Sequence, residues 1–518
     1  MKLNQYPAAL FTALLLGSLP VLAADDNIRL PLNDAHWKPV KNYVEATPLP
    51  EYQHASEAAR ESFRDLKLGV RIHWGLFTTW QPQRGEVSWP LLKMSPAERQ
   101  QYQDLYRTFN PVKFNATEWM ELFQESGIKV FAFTTKHHEG FSMFDTKTRV
   151  KQRVNWTVPG GPCLEDCDLA YSIMETPFKR DIVRELCDAA HHTGIKVDLY
   201  YSHPDWYDAD FRPYVRHPVQ VPSSPDLARM ATNHMLLAAE RTPAETRRMM
   251  TRHREQLTEL LTRYGKVDYL CFDMWMDADV WPQLRETVMH LRKLQPDVMF
   301  RARGIGNYGD YYTPEGFVPG SKENTDMPWM VIYPLAGGHQ RWGWGHEKWG
   351  YEPNAAYYEN AGWIVTNLVD SVAKGGNFMV GIGPDELGRF HPRAVAALRD
   401  TGAWLKVNGE AIYATRPREG DLWKEGTDLR FTRSKDHRYI YAISLKWPGQ
   451  SITLQSVQAK SGSKITLLGS SAPLVWQKVP SGGVTIHLPA NLEKETQRPC
   501  QWAWAFKIEA SDATSELK

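Results

Sequence analysis

Several polar side chains with distinct chemistry each follow a short apolar segment of this 518-residue chain. The first apolar segment is followed by His73, the fourth by the carboxylate Asp273 and the fifth by the guanidinium of Arg303. The second and third lead to His137, His138 and the phenol of Tyr201. Such groups around a carboxylate suit a neutral polyhydroxylated ligand, because each ligand hydroxyl needs a hydrogen-bond donor or acceptor.

Cleavage of a bond between sugars would give Asp273 a specific task. Glycosidic-bond hydrolysis uses one carboxyl group that attacks the anomeric carbon or activates water, and another that protonates the leaving oxygen. Asp273 follows the apolar run 269–272, so we expect the end of a strand to hold it rigidly, and it fits the first role. The alternative is a purely structural aspartate that caps a helix or orders a loop. Glu315, in the segment after the fifth strand, is our first choice for the second role. Its rivals are Glu323, Asp326 and Glu347.

The histidines also permit a metal-binding interpretation. His73, His137 and His138 would offer three imidazoles, which are common ligands of transition metals. Because neighbouring residues of an extended chain point to opposite sides, the adjacent His137 and His138 are poorly placed to bind one ion, and we expect no metal. No glycine-rich phosphate-binding loop accompanies these strands, so we expect no nucleotide or other cofactor.

These side chains require a scaffold that brings successive strand ends together. From about residue 60 to 405, short apolar runs alternate with helical patterns, which is typical of βα units and a parallel sheet. The pattern predicts a (β/α)8-like, TIM-type barrel, whose active site would lie at the carboxyl ends of the strands. The predicted strands are Leu68–His73, Lys129–Thr134, Lys196–Tyr201, Val267–Phe272, Asp297–Arg301 and Asn377–Ile382.

Capping signals and a change of pattern divide the chain further. Asn115 with Glu118 predicts a capped helix start, and Thr176 predicts the start of a helix that Gly194 ends. Later, short β-rich segments separated by Gly, Ser, Pro and Lys clusters predict a C-terminal antiparallel β-sandwich. We therefore divide the chain into a barrel domain with an N-terminal lead-in at 24–415, a sandwich at 416–509 and a tail at 510–518.

The first 23 residues are similar to a secretory signal peptide. Lys2 supplies the positive charge, residues 8–22 are mostly apolar, and residues 21–23 form a small-residue cleavage signal, so the mature chain would start near Ala24. No later run approaches the roughly 20 apolar residues of a membrane span. We expect a secreted or periplasmic protein without a membrane segment.

Composition narrows the class of partner. The chain has 61 Lys and Arg against 60 Asp and Glu, so its formal net charge of +1 gives no reason to expect nucleic acid or an anionic membrane. Its 20 Trp, 22 Tyr and 19 Phe suit sugar binding, because aromatic faces pack against the apolar face of a pyranose. A large aromatic core would explain them equally well, and the oligomeric state is open.

Two structural questions, one about a pair of cysteines and one about a pair of tryptophans, stay open at the level of sequence. Five cysteines are too few for a disulfide-built scaffold, but Cys163 and Cys167 are close enough in sequence for one bridge. In the predicted sandwich, Trp502 and Trp504 alternate along one segment. They either pack on the barrel, which we favour, or bind carbohydrate.

With these residues in view, the sequence resembles glycoside hydrolase family 29, the α-L-fucosidases, from about residue 60 to 415. Each shared motif is short, but their joint occurrence in this order is highly specific. The motifs are Ile72-His73-Trp74-Gly75, Thr135-Lys136-His137-His138-Glu139-Gly140-Phe141, Leu199-Tyr200-Tyr201-Ser202, Phe272-Asp273, Trp349-Gly350-Tyr351, Lys374-Gly375-Gly376-Asn377, Ile382-Gly383-Pro384 and Val407-Asn408-Gly409-Glu410-Ala411-Ile412-Tyr413.

The resemblance implies a (β/α)8-like barrel followed by a β-sandwich. It also implies a retaining double displacement on terminal α-L-fucosyl residues of oligosaccharides or glycoconjugates, without metal or cofactor. Asp273 maps onto the nucleophile and Glu315 onto the acid/base residue. The implied substrate-binding residues are His73, Trp89, His137, His138, Tyr201, Arg303 and Trp349, the last against the fucose methyl group.

Some positions depart from the family pattern. Cys271 stands two residues before Asp273, where members often carry Trp, and Glu139 replaces the usual Asp after the paired histidines. The segment Arg301–Gly304 is a reduced form of a longer family motif. Two alternatives therefore stay open: a barrel glycosidase for a related sugar, such as a galactoside or a substituted fucose, and a catalytically silent fucose-binding protein.

Overall fold

The computed structural model describes residues 43–80, 87–212, 241–314, 327–337, 348–480 and 482–511. Residues 68–382 contain the parallel strands of a barrel, with one antiparallel hairpin, β3–β4, outside it. The strands of this part are β1 Leu68–Ile72, β2 Val130–Lys136, β3 Val150–Asn155, β4 Cys163–Leu169, β5 Lys196–Ser202, β6 Tyr269–Asp273, β7 Met299–Phe300, β8 Met330–Pro334 and β9 Asn377–Ile382.

Helices between the strands bury one apolar face each against the barrel. Their bounds are α1 Glu57–Arg64, α2 Pro96–Asp104, α3 Ala116–Glu125, α4 Ile182–Thr193, α5 Pro243–Arg263, α6 Trp281–Leu294, α7 Ala361–Ala373 and α8 Pro392–Asn408. The predicted cap at Asn115 is confirmed, because its side chain accepts hydrogen bonds from the Thr117 and Glu118 amides. The predicted helix start at Thr176 is wrong: α4 begins at Ile182, where Asp181 accepts from the Arg184 amide.

The barrel strands follow the order β7-β6-β5-β2-β1-β9-β8, and every pair in this series is parallel. Strands β1, β2 and β9 are buried along their whole length, which explains their mostly apolar sequences. All six predicted strands are present, with β7 shorter than expected. Sequence reasoning missed β8 and the hairpin.

Residues 311–314, here called the seam segment, close the barrel between β7 and β8. Tyr311 forms a parallel bridge with Arg301, and Tyr312 forms one with Trp329. The Tyr311 carbonyl accepts from the Ala302 amide at 2.8 Å, and the Tyr312 carbonyl accepts from the Met330 amide at 3.1 Å. With the seam segment as the eighth strand position, the predicted TIM-type barrel is confirmed.

The C-terminal part is an antiparallel β domain. Its strands are β10 Thr415–Pro417, β11 Lys424–Glu425, β12 Leu429–Ser434, β13 Tyr439–Ser444, β14 Ser451–Leu454, β15 Ile465–Leu467, β16 Pro473–Lys478, β17 Val484–His487 and β18 Trp504–Glu509. They enclose a separate apolar core that includes Phe431, Leu467, Ile486 and Phe506. The predicted change from a βα pattern to a β domain is therefore confirmed.

Tryptophans join the two domains. The Trp404 indole of α8 donates to the Ala503 carbonyl at 2.8 Å. Trp502 lies against Gly362 at the start of α7, where an added Cβ would come within 2.7 Å of its ring. Trp504 is 7% exposed. These contacts favour packing on the barrel for Trp502, whereas Trp504 packs in the core of the β domain itself, beside Trp447.

Cys163 and Cys167 are both free thiols on strand β4. Four residues along a strand span about 13 Å, whereas bridged cysteines have Cα atoms within about 7 Å. The disulfide considered from the sequence is therefore incompatible with this strand. Within the described ranges, none of the helices is long and apolar enough to cross a membrane.

Candidate active site

The carboxyl ends of the barrel strands bring the predicted polar residues to one rim. Asp273 is the last residue of β6, and its side chain is 13% exposed. His73 directly follows β1, and His137 directly follows β2. Arg303 lies three residues after β7 and is 4% exposed. The rim therefore combines one carboxylate with several buried nitrogen donors.

Both carboxylate oxygens of Asp273 have a partner. Arg303 Nη1 donates to Oδ1 at 2.7 Å, and Tyr200 OH donates to Oδ2 at 2.5 Å. His138 Nε2 lies 3.8 Å from Oδ2, and Arg301 Nη1 lies 3.6 Å from Oδ1. A carboxylate paired with a guanidinium and accepting a phenol hydrogen bond is stabilised in its ionised form.

The backbone after Asp273 is also held in place. The Asp273 carbonyl accepts from the His203 amide at 3.0 Å. Met274 has φ 62°, a left-handed conformation that costs energy for a residue with a side chain. Gly304 has φ +81°, and an added Cβ there would lie 2.6 Å from the Met274 carbonyl oxygen. The turn after Asp273 thus fits only because residue 304 is a glycine.

Three histidine rings stand beside the carboxylate. The ring centroids of His73 and His137 are 6.1 Å apart, and those of His137 and His138 are 4.2 Å apart. The expectation that His137 and His138 point to opposite sides is wrong, because both lie beyond the end of β2, where strand alternation no longer applies. Among the described residues, no group of three or more His, Cys, Asp or Glu side chains is placed to hold a metal ion.

Burial keeps two of these rings neutral. It lowers the pKa of His73 well below its ordinary value, and the neighbouring Arg71 cation lowers it further. Burial likewise lowers the pKa of His138, with His137 as the next cause. A neutral imidazole has one donor and one acceptor nitrogen, which suits a hydroxyl ligand.

The ring of His137 is oriented by its Nδ1 atom. Ser88 Oγ forms a short hydrogen bond with Nδ1, and Glu139 Oε2 lies 3.5 Å from the same atom. These contacts leave Nε2 of His137 for a ligand. The role of Ser88 was not predicted, since nothing in its sequence surroundings distinguishes it from other loop serines.

The tyrosine at Asp273 is Tyr200, and the sequence prediction of Tyr201 needs correction. Tyr201 OH donates to Gln256 Oε1 at 2.8 Å, on the outer side of the strand. Tyr200 shares the inner face of β5 with Asp198 and Ser202, and Ser202 lies opposite Asp273 in the β5–β6 register. The alternating polar residues Asp198, Tyr200 and Ser202 are a sequence signal that would have identified the correct face.

Aromatic side chains border the histidines. Trp89 lies 4.9 Å from the His138 ring and 5.5 Å from the ring of Trp206, which the prediction did not include. Trp349 lies 5.2 Å from the His73 ring. Indole faces beside hydroxyl-binding groups suit a ligand with both polar and apolar faces. Glu315 and its rivals Glu323, Asp326 and Glu347 lie outside the described residues.

Comparison with known proteins decides the family. The family described as Alpha-L-fucosidase matches residues 41–410, and the one described as Alpha-L-fucosidase C-terminal domain matches residues 424–509. The chain belongs to the α-L-fucosidase family. It is therefore a glycoside hydrolase by descent, and the family predicted from the sequence motifs is confirmed.

The similarity to curated relatives extends over most of the chain. Human tissue α-L-fucosidase is 27% identical over 525 residues, covering 97% of each chain. Human plasma α-L-fucosidase is 27% identical over 479 residues, covering 86% of this chain and 89% of the relative. Both the barrel and the β domain therefore fall within the shared region.

Solved structures share the architecture of this α-L-fucosidase. α-L-fucosidase isoenzyme 1 from Paenibacillus thiaminolyticus has a TM-score of 0.69 and 26% identity, covering 88% of this chain and 99% of that one. A GH29 α-L-fucosidase from Bacteroides thetaiotaomicron, described as a covalent intermediate trapped with 2-fluoro-fucosyl fluoride, has a TM-score of 0.67 and 23% identity, covering 90% of this chain and 99% of that one. At 23% identity, the similarity to the Bacteroides thetaiotaomicron structure supports the fold.

The two neighbouring tyrosines of β5 provide a matched test of the site. Replacing Tyr200 with Phe removes the hydrogen bond to Asp273, so we expect kcat/KM on an aryl α-L-fucoside to fall roughly tenfold to a hundredfold. Replacing Tyr201 with Phe removes only the bond to Gln256 and should lower thermal stability while kcat/KM stays within about twofold. Equal kinetic losses in the two variants would contradict the placement of Tyr200.

Proposed function

We propose that this protein is an exo-acting retaining α-L-fucosidase that releases terminal α-L-fucosyl residues from oligosaccharides or glycoconjugates. The observation that carries the proposal is the carboxylate of Asp273, held on both oxygens at the barrel rim beside three histidines. Family membership identifies the sugar. The strand-end geometry supports Asp273 as the nucleophile.

In the first step, Asp273 attacks the anomeric carbon of fucose and forms a covalent glycosyl-enzyme while the aglycone departs. Arg303 and Tyr200 hold the carboxylate so that it reacts without reorganising. In the second step, water attacks the anomeric carbon and returns the carboxylate to the ionised form that these donors stabilise. Two displacements at the same carbon retain the α configuration.

The remaining rim residues bind the sugar. Neutral His73 and His138, together with Nε2 of His137, would exchange hydrogen bonds with the fucose hydroxyls. Trp89 and Trp349 offer apolar faces to the ring, with Trp349 on the side of the fucose methyl group. Because burial favours the neutral forms of His73 and His138, these two rings suit an uncharged sugar.

Glu315 is our proposed acid/base residue. Its support comes from the seam segment that precedes it: Arg303 Nη2 donates to the Thr313 carbonyl at 3.4 Å, two residues before Glu315. Thr313 therefore lies beside the guanidinium that also binds Asp273. Glu315 follows two residues later in the sequence, and a glutamate is suited both to donate a proton to the glycosidic oxygen and to act as a base for water.

Residues 1–23 are proposed to direct export and to be removed. The proposal rests on the positive charge, apolar run and small-residue site of this segment, which lies outside the described residues. Expression of the full chain in a bacterial host followed by N-terminal sequencing of periplasmic or secreted material should give Ala24 as the first residue. An intact N-terminus on material that stays in the cytoplasm would contradict export.

Removal of the Asp273 carboxylate tests the nucleophile. We expect Asp273→Ala to lower kcat on an aryl α-L-fucoside by about 1,000-fold or more, because the first displacement has no nucleophile. Added azide should restore turnover and give β-fucosyl azide, which also shows that the variant is folded. In the unmodified enzyme, peptide mapping after 2-fluoro-fucosyl fluoride should find the label on Asp273. Near-normal activity of Asp273→Ala would refute the assignment.

Four single variants separate the candidates for the acid/base role. The true residue, when changed to Ala, should lose about 100-fold or more in kcat/KM on a natural oligosaccharide but much less on a fucoside with an activated leaving group, which departs without a proton. Azide should accelerate that variant and give α-fucosyl azide. We expect this behaviour for Glu315→Ala alone. The comparison variants are Glu323→Ala, Asp326→Ala and Glu347→Ala, and any of them showing it would replace Glu315.

A further inference from the structure

A charged layer lies inside the barrel, directly beneath Asp273. Its four side chains come from different strand positions and are almost fully buried: Arg71 is 3%, Asp198 2%, Cys271 1% and Arg301 1% exposed. Interiors of such barrels are filled mainly by branched apolar residues. Two buried arginines at this position therefore call for a physical explanation.

The sulfur of Cys271 joins the two arginines. Arg71 Nη2 donates to Cys271 Sγ at 2.6 Å, and Arg301 Nη1 donates to the same atom at 3.4 Å. Asp198 adds an acidic group to the layer: burial raises its pKa to about 6, and Arg71 and Arg301 oppose that rise. Cys271 is thus the shared acceptor of two guanidinium groups that would otherwise repel each other.

Each arginine also leads to a different oxygen of the Asp273 carboxylate. Arg301 Nη1 lies 3.6 Å from Oδ1. The Arg71 guanidinium packs on the ring of Tyr200, 4.9 Å from its centre, and Tyr200 OH donates to Oδ2. The two contact paths start at one sulfur atom and end at the two oxygens of one carboxylate.

We propose that Cys271 is a positioning residue for the glycosidase reaction, whose sulfur holds Arg301 beneath Oδ1 and Arg71 beneath Tyr200. The proposal rests on the proposed role of Asp273 as nucleophile. Arg301 Nη1 also donates to the Phe272 carbonyl at 3.4 Å, so the sulfur and this carbonyl together set its distance from Oδ1. Loss of the sulfur acceptor removes one of these two bonds, and the ionised form of Asp273 loses part of its stabilisation.

The consequence for pH dependence follows from the groups around Asp273. Movement of the Arg301 cation away from the carboxylate makes Asp273 easier to protonate, so the acidic limb of the activity profile should move to higher pH. Loss of the Arg71 contact acts in the same direction, because Arg71 packs on the ring of Tyr200, which donates to Oδ2. The charged and titratable groups that face or act on Asp273 are Arg301, Arg303, Tyr200, His73, His138 and His203.

Two substitutions of similar size separate hydrogen bonding from packing. Cys271→Ser keeps an acceptor at this position, whereas Cys271→Val fills the space without one. For Cys271→Val we expect kcat on an aryl α-L-fucoside to fall about tenfold with little change in KM, and the acidic limb of kcat/KM to rise by at least about half a pH unit. Cys271→Ser should stay within about twofold of the unmodified enzyme in kcat, with its acidic limb unmoved.

Competing outcomes are distinguishable. Equal losses in Cys271→Ser and Cys271→Val, or a loss without a shift of the acidic limb, would show that Cys271 only fills space and would overturn the proposal. Cys271→Val with unaltered kinetics would overturn it as well. If thermal unfolding shows that Cys271→Val is not folded, Cys271→Ala is measured instead, and the same shift of the acidic limb of kcat/KM is expected. Near-normal activity of Asp273→Ala would instead mark failure of the proposed function.

Discussion

The pairing of one nearly buried carboxylate with a guanidinium and a phenol organises the functional face of this barrel. An ionised side chain that is only 13% exposed is stable only when its charge is matched and its oxygens are hydrogen-bonded. Arg303 and Tyr200 do this for Asp273, and both come from neighbouring barrel positions on either side of β6. The strand order therefore determines which side chains can stabilise the Asp273 carboxylate.

The same pocket separates charge from recognition. Charge is confined to the vicinity of Asp273, where Arg301 and Arg303 compensate it. Burial lowers the pKa of His73 and His138, so these two rings can exchange hydrogen bonds with a hydroxyl ligand as neutral groups. The negative charge of Asp273 opposes this lowering of the pKa in both rings, but burial outweighs it.

Sequence reasoning located elements and residues correctly where an apolar period or the end of a strand fixes their position. It failed where the position depends on a one-residue shift of strand register or on a backbone bridge. Apolar runs located β1, β6 and β9 well, because a buried strand is mostly apolar. The choice between Tyr200 and Tyr201 depends on which strand face points inward, and the apolar run alone does not show it. The seam segment escaped prediction because two bridges, not an apolar pattern, make it part of the barrel.

The seam segment also has an evolutionary consequence. It joins its neighbours through few backbone bonds, and those bonds are indifferent to side-chain identity. Substitutions within residues 311–314 that preserve side-chain size therefore leave the backbone bridges that complete the barrel intact. Sequences can in this way diverge at this strand position without losing the closed barrel that surrounds Asp273.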